Sequence, residues 1–179
     1  MLHKVSNRFA FFWRMFLTYL VLQKGERILS IGQRTNERKI YEWMWYFVAK
    51  LKGYSILEIL EIWDKNVNEL RKEGKALVVK GDVREIDNLY PENSLDTILW
   101  FEGPEHIEIN EIRPTIEKLK TIANRIILSC PCGKYPQGAS FGNPFERHKT
   151  MIFPKDLKKS GLKVVSLNTS IHTYLFGYM

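Results

Sequence analysis

At 179 residues, with 45% apolar and 26% charged side chains, the chain has the make-up of one globular domain, not of a disordered, fibrous or membrane-embedded protein. Its net charge of +7 is uneven: residues 1–54 hold ten basic and three acidic side chains, residues 55–129 ten and fifteen, residues 130–179 seven and two. No run of Lys or Arg exceeds two residues, so a solvated surface is the default reading, with phosphates, nucleic acid or an anionic membrane as partners for the two basic ends.

Phe9 to Leu22 is nearly all apolar, with Lys4 and Arg8 ahead of it and Arg14 inside it. As a helix this run spans about 21 Å, short of a ~30 Å hydrocarbon core. Gln23-Lys24-Gly25-Glu26 offers no small-residue cleavage site. Residues 1–24 therefore read as an apolar helix that covers a sheet edge or a partner surface, with peripheral membrane contact or a homodimer as its uses. Residues 25–179 read as one domain.

In that domain, apolar runs alternate with stretches of helical spacing. Arg27–Ile31 is the first strand, and Thr35–Lys52 a helix carried by Ile40, Trp43, Met44, Phe47, Val48 and Leu51, with Gly53 as its stop. A second strand over Tyr54–Ile62 leads to a helix over Asp64–Lys72, ended by Gly74, and to a third strand over Ala76–Val79. Tyr90-Pro91-Glu92-Asn93-Ser94 is turn chemistry before a fourth strand over Thr97–Trp100. Pro104 opens a short helix and Pro114 the next, which runs to Ala123; Ile126–Ser129 is the fifth strand. A Gly- and Pro-rich loop from Pro131 to about Pro144 has the length of a lid or binding loop. After a short helix over Pro154–Ser160, Lys163–Leu167 and Ile171–Phe176 form an antiparallel hairpin around Asn168-Thr169. Strands alternating with helices predict an α/β fold whose ligands lie beyond the carboxyl ends of a mostly parallel sheet.

The two cysteines, Cys130 and Cys132, stand too close for a structural disulfide and have no second pair to complete a zinc site; no metal is expected. Their presence as thiols suits a reducing, cytoplasmic setting.

Four motifs in order carry a resemblance to a family. They are Ile28-Leu29-Ser30-Ile31-Gly32-Gln33-Arg34-Thr35, Leu60-Glu61-Ile62 followed by a helix, Gly81-Asp82-Val83, and Asn93-Ser94-Leu95-Asp96 running into the fourth strand. Together they resemble class I S-adenosylmethionine-dependent methyltransferases over roughly Glu26 to the C-terminus. The resemblance implies a three-layer, Rossmann-like fold with a seven-stranded sheet ending in an antiparallel hairpin, and S-adenosylmethionine as cofactor. It places Glu61 on the ribose hydroxyls, which an acceptor-only carboxylate can take, with Glu58 as the rival acid. Ile62 and Val83 are then the adenine slot and Asp82 the acceptor for its amine, while Ser30, Gly32, Arg34, Thr35 and Trp100 complete the cofactor contacts. Most members have an acid where Ser30 stands and a glycine where Arg34 stands, so the methionine end of this site departs from the pattern.

The acceptor site falls above strands four and five. His106 and His148 are the candidate general bases, since imidazole titrates near neutrality, and Glu102, Arg147 and Tyr135 are the candidate substrate contacts. Pro131-Cys132 follows the wrong strand to be a cytosine-methylating nucleophile. Two functions are compatible with these residues. One is methyl transfer to oxygen or nitrogen on a small molecule. The other is a catalytically silent module of the same fold that binds nucleic acid or a protein partner.

Overall fold

The computed structural model describes residues 12–13, 15–33, 44–169 and 172–179. Among these, seven strands form one sheet: β1 Arg27–Ile31, β2 Ile56–Glu61, β3 Leu77–Lys80, β4 Leu95–Phe101, β5 Ala123–Pro131, β6 Lys163–Asn168 and β7 Thr173–Tyr178. Their order is β3-β2-β1-β4-β5-β7-β6. The first five run parallel, and β7 lies antiparallel between β5 and β6. This is the α/β sheet with a terminal antiparallel hairpin that the sequence predicts.

Strand side chains alternate between faces, and the apolar residues divide accordingly. Leu29, Ile31, Leu60, Ile98, Trp100 and Leu128 join one core with Ile112, Ile116 and Leu119 of the helix α4, Ile109–Ile122. Ile28, Leu57, Ile59, Leu99, Ile127 and Phe176 join the other. There they meet Met15 of the helical residues 15–21 (α1), Val48 and Ala49 of α2 (Met44–Leu51), and Leu70 of α3 (Asp64–Glu73). A short helix α5, Pro154–Lys158, precedes the hairpin. The result is three layers.

Two expectations change. α1 places Met15 in the core on one sheet face, not at an edge, and buries Thr18, while Phe16, Tyr19 and Leu20 stay exposed. Pro114 lies inside α4, not at its start. The helix begins earlier because the Glu111 carboxylate accepts from the Glu108 N–H at 3.0 Å, a reciprocal cap that outweighs the one backbone bond Pro114 removes. Of the helix expected over Thr35–Lys52, the part before Met44 lies outside the described residues. α3 ends as expected where Gly74 turns left-handed, at φ 63°.

A buried polar cluster fastens the amino ends of the strands. Glu26 accepts from Thr97 Oγ1 at 2.6 Å and from the Arg125 guanidinium, and the Arg27 N–H donates to Asp96 at 2.8 Å. All of this lies at the edge opposite the candidate site.

Candidate active site

The chain lays down β1, β2 and β3 in one direction, then returns to place β4 against the other side of β1. Strand order reverses at that boundary, and neighbouring loops part there to leave a crevice at the carboxyl ends. Gly32, Glu61, Asp82 and Glu102 all lie at that edge, because each follows or closes a parallel strand. Gly32 takes φ 75°, which turns the chain away from β1 while its N–H bonds the Leu60 carbonyl at 2.9 Å.

Glu61 is 4% exposed. Burial pushes its carboxyl up to about 7, against hydrogen bonds from the Trp63 and Ile62 N–H groups and the Asn66 side chain, with the Glu146 carboxylate adding to the rise. The Trp63 bond is 2.9 Å. Asn66 also reaches the Gln33 carbonyl at 3.5 Å, so the start of α3 ties the ends of β1 and β2 together. Glu58 sits back along β2, away from the carboxyl edge, where it accepts from the Tyr90 hydroxyl at 3.0 Å and lies 3.7 Å from Arg27.

Asp82 is engaged more fully than its sequence suggests. Its Oδ1 caps the following 3-10 turn, Val83–Asn88, by accepting from the Arg84 N–H at 2.9 Å. The Arg84 guanidinium grips both carboxylate oxygens and reaches Glu111 at 2.9 Å. Burial raises the Asp82 carboxyl, but the Arg84 bonds, aided by Lys149, outweigh it and hold it below the usual carboxylate value. Ile62 and Val83 stand half-buried beside these acids, and Ser30 is buried within β1. Trp100 is 2% exposed and belongs to the core, not to the open edge, because β4 turns it inward beneath Gly103. Arg34 and Thr35 lie outside the described residues.

Glu102, just past β4, is a non-glycine residue at φ 49°. Such a conformation is held only where surrounding bonds fix it. Here the Glu102 N–H donates to the Ser129 carbonyl at 2.8 Å, and Ser129 Oγ donates to its carboxylate at 3.1 Å. The 3-10 turn Pro104–His106 follows. The long segment after β5 folds back over this turn: the Lys149 and Thr150 N–H groups both donate to the Glu105 carbonyl. That return brings His148 within 4.9 Å of His106, centroid to centroid. Tyr135 packs beside both His148 and His172. Arg147 is exposed and meets His106 through its carbonyl oxygen. Glu146 raises the Glu61 carboxyl and Lys149 lowers that of Asp82, so this same segment lies within electrostatic reach of the ends of β2 and β3.

Two residues escaped the sequence reading. Asn66 supports Glu61 from five positions on, and its only signal was its place in the first turns of α3. Glu105, 1% exposed, lies between the two histidines, 3.9 Å from His148 Nε2, and its adjacency to His106 was its one visible clue. Cys130 and Cys132 have thiols pushed up by burial, Cys130 also by Glu105 and Glu102, which keeps both protonated and poorly nucleophilic at neutral pH.

No family model and no curated protein matches the sequence. Solved structures match the fold. Magnesium protoporphyrin IX methyltransferase from Synechocystis PCC 6803, solved with bound SAH, superposes with a TM-score of 0.65 at 15% identity over 97% of this chain and 83% of that one. A SAM-dependent methyltransferase from Archaeoglobus fulgidus gives 0.62 at 15% identity over 100% and 95%. A protein assigned as a zinc-dependent alcohol dehydrogenase from Rhodobacter sphaeroides gives 0.67 at 11% identity over 92% and 87%. The sheet order and these likenesses establish the Rossmann-like fold of class I methyltransferases.

Proposed function

We propose that this chain transfers a methyl group from S-adenosylmethionine to an oxygen or nitrogen of a small molecule. The observation that carries the reading is Glu61: a buried carboxyl, lifted to about 7, at the end of β2 beside the strand-order reversal. A group so placed gains most from a ligand that donates two hydroxyl hydrogen bonds at once, as a ribose does.

In this reading Glu61 takes the ribose, Ile62 and Val83 flank the adenine, and Gly32 lets the backbone approach the methionine end, with Ser30 close by. Asp82 accepts the adenine amine once the Arg84 guanidinium yields one of its oxygens. Glu111 gives Arg84 a second anchor during that change. Glu102, Tyr135 and Arg147 contact the acceptor. The bound cofactor would supply the methyl group, its carbon–sulfur bond giving way to the acceptor's lone pair and leaving a neutral thioether. When the acceptor is a hydroxyl, its proton passes to an imidazole of His148 or His106. Both cysteines are free thiols, which supports a cytoplasmic setting.

The Arg84 grip on Asp82 favours a second reading, a silent module of this fold whose basic ends bind nucleic acid or protein. Calorimetry with S-adenosylmethionine and S-adenosylhomocysteine separates the two. Methyl transfer requires saturable heat that Glu61→Ala weakens. No heat with millimolar ligand, together with steeply salt-dependent retention of oligonucleotides, selects the silent module.

A further inference from the structure

Among the described residues, Glu105, His106 and His148 each offer one ligand atom, and these atoms all lie within 4.8 Å of one another. We propose that the three side chains bind a divalent first-row transition-metal ion of the zinc type. Two imidazoles and one carboxylate are a donor set that suits such ions, and three protein ligands leave a coordination position open.

The hydrogen bonds around the rings prepare them for this task. His106 Nδ1 lies 3.3 Å from the Arg147 carbonyl oxygen, and His148 Nδ1 lies 2.5 Å from the Tyr135 carbonyl oxygen. A carbonyl only accepts, so in each ring Nδ1 carries a hydrogen, and in the neutral imidazole Nε2 is then the ligating nitrogen. Ligating histidines use this outer contact to fix tautomer and ring orientation. His148 Nε2 stands 3.9 Å from Glu105 Oε1. An ion bound at about 2.0–2.2 Å from each ligand holds them roughly 3.5 Å apart, so the site closes by side-chain adjustment alone. The backbone frame is already built, since Lys149 and Thr150 clamp the His148 segment to the Glu105 carbonyl.

Exposure is graded across the three ligands. The side chains of Glu105 and His148 are 2% and 8% exposed, while His106 is half-buried, so the open position faces outward on the His106 side. An oxygen of the acceptor enters there, and the ion then takes over from the imidazoles the activation of that oxygen. This role for the ion rests on the methyl-transfer reading; ion binding does not.

The test uses the full chain, stripped with a chelator. Cobalt(II) is titrated while its visible d–d absorption is followed, and zinc(II) is titrated by calorimetry. We expect one ion per chain. Glu105→Gln, His106→Ala and His148→Ala are each expected to weaken binding about tenfold or more, and His172→Ala to leave it unchanged. Circular dichroism checks each fold, and His106→Ala, at the outer ligand, decides the matter where a buried variant fails to fold. Absence of saturable uptake at millimolar metal, or uptake unaltered by His106→Ala, overturns the site. Metal uptake without S-adenosylmethionine binding leaves the site standing and removes the methyl-transfer reading; cofactor binding without metal uptake does the reverse.

Discussion

Replacement of Glu61 by Gln separates a ligand-gripping acid from an ordinary buried one, because the two respond oppositely to pH. In the unfolded chain this carboxyl titrates at its ordinary 4.5, in the folded chain at about 7. Between those values the folded state holds a proton that the unfolded state has lost, so its contribution is full below 4.5 and stability falls as pH rises through 7. The gap is worth about 3 kcal/mol. Glu61→Gln removes that penalty, and we expect it to raise the melting temperature at about pH 8 while leaving it nearly unchanged at about pH 5. Ligand binding runs the other way. Two ribose hydroxyls donate to the ionised carboxylate, so S-adenosylmethionine should bind roughly tenfold more tightly at about pH 8 than at about pH 6 and release about half a proton per ligand at neutral pH. Calorimetry in buffers of different ionisation enthalpy reads that proton directly. An amide accepts through one oxygen only. With hydrogen bonds to charged groups worth about 1.5–3 kcal/mol each, Glu61→Gln should lose about a hundredfold in affinity together with most of the pH dependence. Stabilisation without loss of affinity would refute the assignment of the ribose to Glu61.

Asn66→Ala removes one of the hydrogen bonds that hold Glu61 down, so the Glu61 carboxyl should titrate above 7, and calorimetry should find the steep pH dependence of binding displaced upward. Gly103→Ala places a Cβ 1.9 Å from Trp100 Nε1, against an indole with no room to move, and should cost about 1–3 kcal/mol or more in denaturant unfolding. Gly138→Ala, with nothing within 4 Å, is the neutral control. Thr97→Val takes a hydroxyl donor from buried Glu26 and should destabilise by about 1–3 kcal/mol. Its cofactor affinity should stay at the wild-type value, because that cluster lies at the opposite end of the strands.

The sheet was legible because many residues specify it redundantly. Ile28, Leu29 and Ile31 repeat the same alternation as Leu57, Ile59 and Leu60, so no single misreading moves a strand. Boundaries were less legible where pairing outruns apolarity. β5 starts at Ala123, three residues before the run from Ile126, because Arg125 is held by Glu26 and by register with Thr97. Pro114 misled for a related reason: the preference of proline for a helix start is local, and a cap formed by Glu108 and Glu111 overrode it. The place of Glu61 at the end of β2 could be read because it closes an apolar run. The Arg84 grip on Asp82 could not, since an arginine two positions on can point many ways and only Glu111, on a distant helix, fixes its direction. Glu105 was hidden more deeply still. Its meeting with His148 depends on backbone bonds from Lys149 and Thr150, which no side-chain pattern announces. Redundancy explains why proteins 10–15% identical to this one share its sheet. The chemistry rests instead on single, unduplicated positions. A departure such as Ser30 therefore leaves the fold intact, and binding measurements on Glu61 and His106 test function in a way that further superpositions do not.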